Sequence, residues 1–173
     1  MQIPKLLRLC FIGLCTVLFA YYLWPEDELP PNTKITKLVV YKSKRQLQAY
    51  SNHKLIKTYP IALGRQPIGH KQVEGDCKTP EGNYFISAKN PNSGYHKNLG
   101  VSYPNATDIK RAQQLGKPVG GEIKIHGLRN KTGGIGKFHR WFDWTLGCMA
   151  VTNKEMDELY NAVNIGTPIE IHP

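Results

Sequence analysis

The sequence predicts an α+β fold that is mostly β, with one or two helices and a single domain behind an apolar N-terminal segment. Apolar and polar residues alternate in several short segments, which is typical of half-buried strands. One segment near the C-terminus instead repeats its apolar residues at helical spacing. The chain has 173 residues, so one ordinary domain remains after any targeting segment, and it is large enough to bury a core.

The composition is that of a globular protein with a basic surface. Charged residues make up 21 % of the chain and no stretch is low-complexity or repeated, so disorder does not dominate. The net charge is +10, but the lysines are spread along the chain without a basic helix or an aromatic platform. A nucleic-acid partner is therefore not predicted, whereas an anionic polymer or a membrane surface fits the charge.

Residues 1–24 have the pattern of a membrane signal. Lys5 and Arg8 precede an apolar run from Leu9 to Trp24, and acidic residues follow at positions 26–28. Positive charge before the run and negative charge after it favour an N-terminus inside and a body outside the membrane. No small-x-small cleavage site follows the run, so we expect an uncleaved anchor rather than a cleaved signal peptide. A buried helix of the domain is the remaining alternative.

A linker at residues 25–33 contains Pro and acidic residues, and strand-like alternation begins after it. The first three strands are predicted to form a meander, with Ser51 and Asn52 as the turn between the second and third. The stretch from Gly64 to Gly82 is rich in Gly, Pro and charge, which predicts a long loop, and residues 90–103 are predicted to be irregular. The strands are predicted at residues 35–40, 46–50, 55–63, 84–88, 122–125 and 169–171.

The clearest helix is predicted to begin after Thr152. Thr152 and Glu155 have the spacing of a capping box, in which each side chain bonds the other residue's backbone N–H. The apolar residues that follow have the spacing of a buried helical stripe: Met156, Leu159, Tyr160 and Val163. Gly166 and Pro168 end this helix. A second, short helix is expected at residues 109–115.

Cys148 is the candidate nucleophile. It follows Gly147 and lies a few residues before the predicted C-terminal helix, whose dipole favours the thiolate form. Gly147 lets backbone N–H groups approach an oxyanion closely, and the Thr145 hydroxyl can orient a neighbour or the substrate. His126 ends a predicted strand, and Gly127 after it leaves the imidazole sterically uncovered, so His126 is the candidate base.

Each of these assignments has an alternative in the same sequence. Cys148 can be a packed small side chain, or it can form a disulfide with Cys77, since the predicted compartment is oxidising. Otherwise, Cys77 is a half-buried thiol in a turn. His139 is the rival base, and its alternative is a rim histidine stacked on Trp141 or Phe142.

Together these residues resemble the L,D-transpeptidase catalytic domain family, also called YkuD-like. That family has a His-Gly on a strand and, after a gap, a short Ser/Thr-x-Gly-Cys element; this chain has His126-Gly127 and Thr145-Leu146-Gly147-Cys148. The segment from Gly75 to Gly82 is similar to the family's Lys-Thr-Pro-x-Gly strand entry. The predicted organisation is a signal anchor or signal peptide, a linker and a catalytic domain, at residues 1–24, 25–33 and 34–173.

The resemblance implies a β-sandwich-like fold with a mixed sheet and the C-terminal helix packed against it. It implies that Cys148 attacks the carbonyl of the L-centred residue in a peptidoglycan tetrapeptide stem and releases the terminal D-alanine. An amine or water then resolves the acyl-enzyme, and His126 moves the proton in both steps. The implied partners are peptidoglycan peptide stems, and the N-terminal segment adds the inner membrane. The implied location is the periplasmic side of the bacterial inner membrane, or the periplasm if the signal is cleaved.

Two positions depart from the commonest family pattern. Leu146 stands where the family has His, and Ala150 stands where it has Arg two residues after the Cys. The second change removes a guanidinium that can hold the donor carboxylate, so Arg140, Lys137 or Arg129 is expected to replace it. Three functional classes remain open: a transpeptidase, a hydrolase with the same Cys and His (an L,D-carboxypeptidase or a cleaver of stem-linked protein), and a non-catalytic envelope binding module.

The candidate substrate-binding residues are Arg140, Arg129 and His139. Arg140 can hold a substrate carboxylate or can pair with Asp143. The histidines are scattered without the spacing of metal ligands, so neither a metal nor another cofactor is expected. The stretch Gly133–Gly136 lacks the strand-to-helix context of a phosphate loop and is predicted to be a mobile flap beside the site.

Overall fold

The computed structural model of the protein describes residues 4–173. It begins with the helix α1 (Lys5–Leu23), whose 19 residues correspond to about 28 Å at the usual rise per residue. Among the described helices, α1 is the one that is long and apolar enough to cross a membrane. None of its residues is buried, so the alternative of a buried domain helix is wrong. The predicted apolar N-terminal helix is confirmed.

The described chain contains eight strands, which form a mixed sheet as predicted. They are β1 (Lys37–Tyr41), β2 (Gln46–Ser51), β3 (Lys54–Pro60), β4 (Gly82–Ser93), β5 (His96–Val101), β6 (Lys124–His126), β7 (Met149–Ala150) and β8 (Pro168–His172). Their order across the sheet is β3-β2-β1-β8-β4-β5-β6-β7. The pairs β1/β8 and β6/β7 are parallel, and the other neighbours are antiparallel.

The sheet curls because β4 belongs to both of its halves. The first part of β4, Gly82–Phe85, pairs with β8, whereas residues from Ile86 onward pair with β5. After β3, the chain also bridges β7, since Ala62 and Ala150 exchange both backbone hydrogen bonds. The two halves therefore face each other across one core, in the sandwich-like arrangement that the resemblance implies.

The core follows the alternation of the strands. In β8, Ile169 and Ile171 are buried, whereas Pro168 and His172 at its ends are exposed. Side chains on one face of a strand point to the same layer, so Leu38 and Val40 of β1 enter the same core as Leu99 and Val101 of β5. The largest fully buried side chains are Leu38, Leu47, Tyr59, Ile61, Leu63, Ile86, Leu99, Ile125, Leu128, Met149, Met156 and Leu159.

The helix α3 (Asn153–Ala162) packs on β5 and β6 and confirms the predicted C-terminal helix. Its first turn has the predicted capping box: the Thr152 hydroxyl accepts the Glu155 amide, and the Glu155 carboxylate accepts the Thr152 amide at 2.9 Å. Met156 and Leu159 are fully buried in the core. A helix with such a cap and such a stripe is readable from local sequence alone.

The prediction that residues 90–103 are irregular is wrong. β4 runs to Ser93, and β5 returns beside it as the second strand of a hairpin. The outer half of β4 is polar because it faces solvent, and this polarity hides the strand in the sequence. Leu99 and Val101 of β5 are buried, so tertiary packing stabilises the hairpin.

The helix α2 (Ala106–Gln114) begins three residues before the predicted start at residue 109. Asn105 caps it by accepting the amides of Thr107 and Asp108, and the Asp108 carboxylate accepts the Asn105 amide at 3.0 Å. The capping box therefore sets the start of this helix. The apolar pattern alone does not show the start, because the first turn carries polar residues.

The long loop before β4 is held in place by two buried lysines. Lys42 pairs with Glu81 at 2.8 Å, and Lys71 pairs with Asp76 at 2.8 Å. A buried ammonium group must be paired or hydrogen-bonded, so these contacts hold the loop against the sheet. The loop also lines the candidate site, because the Lys78 carbonyl lies against the chain that leads to β7.

A kinked 3₁₀ segment (Gly133–Trp141) follows β6 and contains the predicted flap at its start. The kink lies at Gly136, which has φ of 50° and ψ of −131°. A Cβ at Gly133 would lie 2.7 Å from the Asn153 side chain, so the start of the segment packs closely on α3. The mobility of the flap stays a prediction.

Candidate active site

Two adjacent strands place His126 and Cys148 on one face of the sheet. In the parallel β6/β7 pair, Ile125 lies beside Met149 and His126 lies beside Ala150. Ile125 and Met149 are fully buried in the core. Because side chains alternate along a strand, His126 points away from that core, and the same alternation carried one residue back from β7 directs Cys148 to the same side. If this register is continued by one residue, Cys148 lies opposite Lys124. The predicted nucleophile and the predicted base are therefore on the same side of the sheet, two residues apart along the strand direction.

The His126 imidazole is held in one tautomer. Its Nδ1 lies 2.7 Å from the Gly127 carbonyl oxygen. A carbonyl oxygen can only accept a hydrogen bond, so Nδ1 carries the proton of the neutral ring. Nε2 then has a free lone pair, which is the form that a general base requires.

Aromatic rings enclose His126. The Tyr95 ring lies 4.8 Å from the imidazole and the Trp144 ring lies 5.7 Å away, edge to face, measured between centroids. His126 is 6 % exposed. Burial lowers the pKa of His126 and the charge of Lys124 adds to this effect, although the hydrogen bond to Gly127 opposes it. The imidazole is therefore uncharged at neutral pH.

Cys148 is a partly buried thiol rather than a thiolate. Its Sγ donates to the Glu122 carbonyl oxygen at 3.4 Å. Burial raises the pKa of the Cys148 thiol, and the amide and the ammonium group of Lys124 offset this only in part. The expected help from a helix dipole is wrong, because β7 separates Cys148 from Asn153, the first residue of α3. The resting site thus holds a neutral thiol on the same face as a neutral imidazole.

Gly147 is required by both backbone conformation and space. Its φ is 131°, and a Cβ there would lie 2.7 Å from the Lys78 carbonyl oxygen. The Gly147 amide donates to the Thr145 hydroxyl at 3.1 Å, and that hydroxyl donates to the Cys148 carbonyl at 2.7 Å. Thr145 therefore bridges the loop that presents the thiol. The Gly147 amide is occupied in the resting site.

Gly127 makes room for α3 rather than exposing the imidazole. A Cβ at this position would lie 2.7 Å from Asn153 Oδ1 and 2.9 Å from His96 Cβ. Asn153 Oδ1 also accepts the Leu128 amide at 2.8 Å. The first residue of α3 thus holds the turn that follows His126. The expectation that the imidazole is sterically uncovered is wrong, since aromatic rings cover it.

His139 is buried beside the site rather than exposed at its rim. It is 2 % exposed, and neither ring nitrogen has a hydrogen-bond partner within residues 4–173. Burial lowers the pKa of His139 to about 4, and the charge of Arg140 adds to this effect. The ring lines an apolar cavity of about 310 Å³, together with Leu128, Ile135 and Trp144. The alternative of an exposed histidine stacked at the rim is therefore wrong.

The two predicted substrate-binding arginines have different surroundings. Arg140 pairs with Glu26 at 2.7 Å and with Glu155 at 2.8 Å, rather than with Asp143. Arg129 is exposed and lies at the edge of the apolar cavity. A role in binding substrate stays a prediction for both, and the structure leaves Arg129 the more accessible of the two.

Cys77 and Cys148 are both free thiols, so the disulfide alternative is wrong. Cys77 is half-buried in a turn with φ of 54°, and its thiol donates to the Gly75 carbonyl at 3.5 Å. This matches the turn-thiol alternative. Across the described part of the chain, no group of three or more His, Cys, Asp or Glu side chains could hold a metal ion.

Sequence reasoning missed several neighbours of His126 and Cys148. Lys124 could have been found, because alternation along β6 places it on the same face as His126. The others come from separate elements, and only tertiary structure brings them to the site: Tyr95, Glu122, Trp144 and Asn153.

Comparison with known proteins gives one consistent family. The profile of the YkuD family, described as the L,D-transpeptidase catalytic domain, matches residues 35–171. YafK of Escherichia coli (strain K12) is provisionally named an L,D-transpeptidase. It is 29 % identical to this chain over 130 residues, and the alignment covers 72 % of this chain and 45 % of YafK. YkuD of Bacillus licheniformis, also provisionally named an L,D-transpeptidase, is 29 % identical over 143 residues. This alignment covers 83 % of this chain and 69 % of that protein.

Solved structures share the fold. The helical cell shape determining protein Pgp2 from Campylobacter jejuni aligns with a TM-score of 0.60 and 24 % identity, over 81 % of this chain and 48 % of Pgp2. An L,D-transpeptidase from Xylanimonas cellulosilytica aligns with a TM-score of 0.51 and 14 % identity, over 91 % of this chain and 69 % of that one. The chain spans about half the length of YafK and of Pgp2.

Proposed function

The chain belongs to the L,D-transpeptidase catalytic domain (YkuD) family, and on that premise we propose that it is a cysteine acyltransferase that modifies peptidoglycan. The proposed substrate is the tetrapeptide stem, and Cys148 carries the acyl group between two steps. One observation carries this proposal: the His126 tautomer leaves an Nε2 lone pair on the same face of the sheet as the thiol.

The first step starts from the neutral pair. As Cys148 Sγ attacks the stem carbonyl, the thiol proton passes to His126 Nε2 and the carbonyl oxygen takes the negative charge. The Gly127 carbonyl accepts from Nδ1–H and so stabilises the imidazolium that forms. The imidazolium then protonates the amine of D-alanine as the C–N bond breaks, which leaves a thioester on Cys148.

The second step uses the same groups in the opposite direction. An amine or a water adds to the thioester while His126 Nε2 takes its proton, and the intermediate then collapses and expels Cys148 as a thiolate. The thiolate recovers its proton from the imidazolium, which restores the resting site. An amine forms a new amide bond, whereas water yields a shortened stem, which is the hydrolase alternative.

We assign the orienting role to Thr145. Its hydroxyl bridges the Gly147 amide and the Cys148 carbonyl and so holds the loop that carries the thiol. In this proposal the Gly147 amide donates to a developing oxyanion only after its hydrogen bond to the Thr145 hydroxyl breaks. This change requires a local shift of the backbone when substrate binds. Gly127 orients His126 through its carbonyl, and Arg129 is the candidate cation for the donor carboxylate.

We also propose that α1 anchors the catalytic domain at the periplasmic side of the inner membrane. Lys5 and Arg8 lie at the start of α1, and residues 26–28 after it are acidic, which is the charge order of an anchor with its body outside. The 19 residues of α1 form a helix nearly as long as the hydrocarbon core of a bilayer is thick, which is about 30 Å. Cleavage of the segment would instead release the domain to the periplasm.

The test compares the full chain with its Cys148→Ser and Cys77→Ser variants, each in detergent micelles with purified tetrapeptide muropeptides and a D-amino acid. Mass spectrometry of the products should show amine adducts or dimers with the wild type and with Cys77→Ser, but not with Cys148→Ser. Loss of D-alanine without any amine adduct would assign the hydrolase alternative. The same products with and without Cys148 would overturn the cysteine mechanism.

A further inference from the structure

The end of α1 is docked on the 3₁₀ segment beside the candidate site. The Tyr21 ring lies 5.7 Å from the Phe138 ring and 6.0 Å from the Trp141 ring, measured between centroids. The Tyr22 hydroxyl donates to the Gly134 carbonyl at 2.9 Å. These contacts join residues far apart in the sequence, so they form an interface between the N-terminal helix and the catalytic domain.

The backbone of the 3₁₀ segment accommodates this helix end. Gly136 has φ of +50°, a conformation that L side chains rarely adopt. A Cβ at Gly136 would lie 2.7 Å from the Tyr22 ring. The kink at Gly136 therefore provides both the turn and the space that the Tyr22 side chain occupies.

Ion pairs hold the chain that follows α1 against the same surface. Glu26 pairs with Arg140 at 2.7 Å and lies 3.8 Å from Lys137, and Glu28 pairs with Lys154. Burial acts to raise the pKa of Glu26, but the charges of Arg140, Lys137 and Lys57 outweigh it and hold that pKa below its usual range. The carboxylate is therefore charged at neutral pH, and the linker is not a free tether.

The depth of α1 in a bilayer determines the depth of the residues that contact its C-terminal end. Tyr21 lies two residues before Leu23, the last residue of α1. If α1 spans the hydrocarbon core, Tyr21 and Trp24 lie at the membrane–water interface, where Tyr and Trp are enriched. Phe138 and Trp141, which pack on Tyr21, must then lie at that interface as well.

The same part of the domain exposes apolar side chains. Ile135 is 43 % exposed, Trp141 is 59 % exposed and Phe142 is 58 % exposed. Lys131, which is exposed at the start of this region, can face lipid phosphates. Exposed apolar residues rimmed by polar ones mark an interaction surface.

We propose that Ile135, Trp141 and Phe142 form a lipid-contact surface that rests in the outer interface of the bilayer that α1 spans. This inference rests on the proposed membrane attachment through α1. The lipid surface is the partner because the contacts of Tyr21 and Tyr22 make these residues continuous with the end of the spanning helix. The apolar cavity beside Trp144 shares Ile135 and Phe142 with this surface, and the Trp144 ring packs against His126, so the cavity next to the membrane adjoins the candidate site. The domain would then act on stems at the membrane face of the peptidoglycan.

The test places the full chain in phospholipid nanodiscs that contain phosphatidylethanolamine and phosphatidylglycerol, with or without lipids brominated near the headgroup. In a Trp24→Phe, Trp144→Phe background, Trp141 is the remaining tryptophan and reports its own contact with lipid. The control adds Trp141→Phe and Phe85→Trp, because Phe85 is exposed on the part of β4 that pairs with β8. We expect Trp141 to lose most of its emission in brominated discs and the tryptophan at position 85 to keep its emission.

The outcomes separate the surface from the attachment on which it rests. A chain that stays in the disc while both tryptophans keep their emission would overturn the lipid-contact surface and leave the anchor intact. A chain that does not stay with the disc would refute the attachment itself. A Phe142→Glu variant should reduce the quenching of Trp141, whereas Leu55→Glu, on the exposed side of β3, should not.

Discussion

His126 and the 3₁₀ segment lie close together in the fold but are held in place by different means. His126 is positioned by strand register, by a capped helix and by enclosing rings, all within the catalytic domain. The 3₁₀ segment is positioned by contacts with the end of α1 and with Glu26, which come from the N-terminal segment. The proposed chemistry therefore depends on local rigidity, whereas the surroundings of the candidate site depend on a distant part of the chain.

The largest expected effect is the loss of the proposed base, His126. In a His126→Asn variant, the amide nitrogen can still donate to the Gly127 carbonyl, but the lone pair of Nε2 is gone. We expect acyl transfer to fall about 10²–10⁴-fold with little change in the melting temperature, measured by steady-state turnover and calorimetry.

The matched control is His139→Asn, which changes the rival histidine beside the same cavity. His139 has no hydrogen-bond partner among the described residues and no assigned role in the proton transfers. In this variant the turnover number should stay near the wild-type value, and a substrate-binding role of His139 would show as a rise in KM alone. A larger loss with His139→Asn than with His126→Asn would transfer the role of base to His139.

The next effect is on stability in acid, and it arises from His139. The pKa of this buried imidazole is about 4 in the folded chain, against an ordinary value of 6.5 in the unfolded chain. Between these pH values the unfolded state binds the additional proton, so the free energy of unfolding falls as the pH falls from 6.5 towards 4. The loss is on the order of 3 kcal/mol.

A His139→Leu variant tests this by denaturant unfolding across the same pH range. Leucine removes the proton-binding group and leaves no buried nitrogen unpaired, so the acid-induced loss of stability should shrink. His53→Asn, at an exposed position in the turn between β2 and β3, should leave the pH profile unchanged. Equal slopes in the wild type and in His139→Leu would contradict the assignment.

A pair of glycine substitutions compares the two regions directly. Gly147→Ala places a methyl group 2.7 Å from the Lys78 carbonyl and requires φ of 131°, so we expect a cost of about 1–3 kcal/mol in the free energy of unfolding. Gly134→Ala, in the 3₁₀ segment, meets no atom within 4 Å. The second variant should unfold like the wild type, and equal losses would show that the clearance at Gly147 does not matter.

The two regions also differ in how much of them was predictable from sequence. The motif residues in and just before β6 and β7 and the cap of α3 carry local patterns, so the candidate nucleophile, the candidate base and the C-terminal helix could be named in advance. Asn153 and Tyr95 reach the site through packing of separate elements, which no local spacing encodes. The helix dipole was misjudged because the motif does not show the short strand between Cys148 and α3. The β4/β5 hairpin was missed because the outer half of β4 is polar and lacks the alternation of a half-buried strand.

The smallest expected effect tests the contact between the regions without touching the chemistry. Tyr22→Phe removes the hydrogen bond of 2.9 Å to the Gly134 carbonyl but keeps the ring beside Gly136. An exposed bond of this kind contributes about 0.5–1.5 kcal/mol, so the melting temperature of the domain should fall by no more than a few degrees. Amide hydrogen exchange of the 3₁₀ segment should accelerate, because its link to α1 is weakened, while exchange in β6 and β7 should stay as slow as in the wild type.

Tyr50→Phe, on the outer face of β2, removes a hydroxyl elsewhere and should leave the segment unaffected. Faster exchange in β6 together with the segment would mean that the N-terminal helix supports the catalytic strands as well.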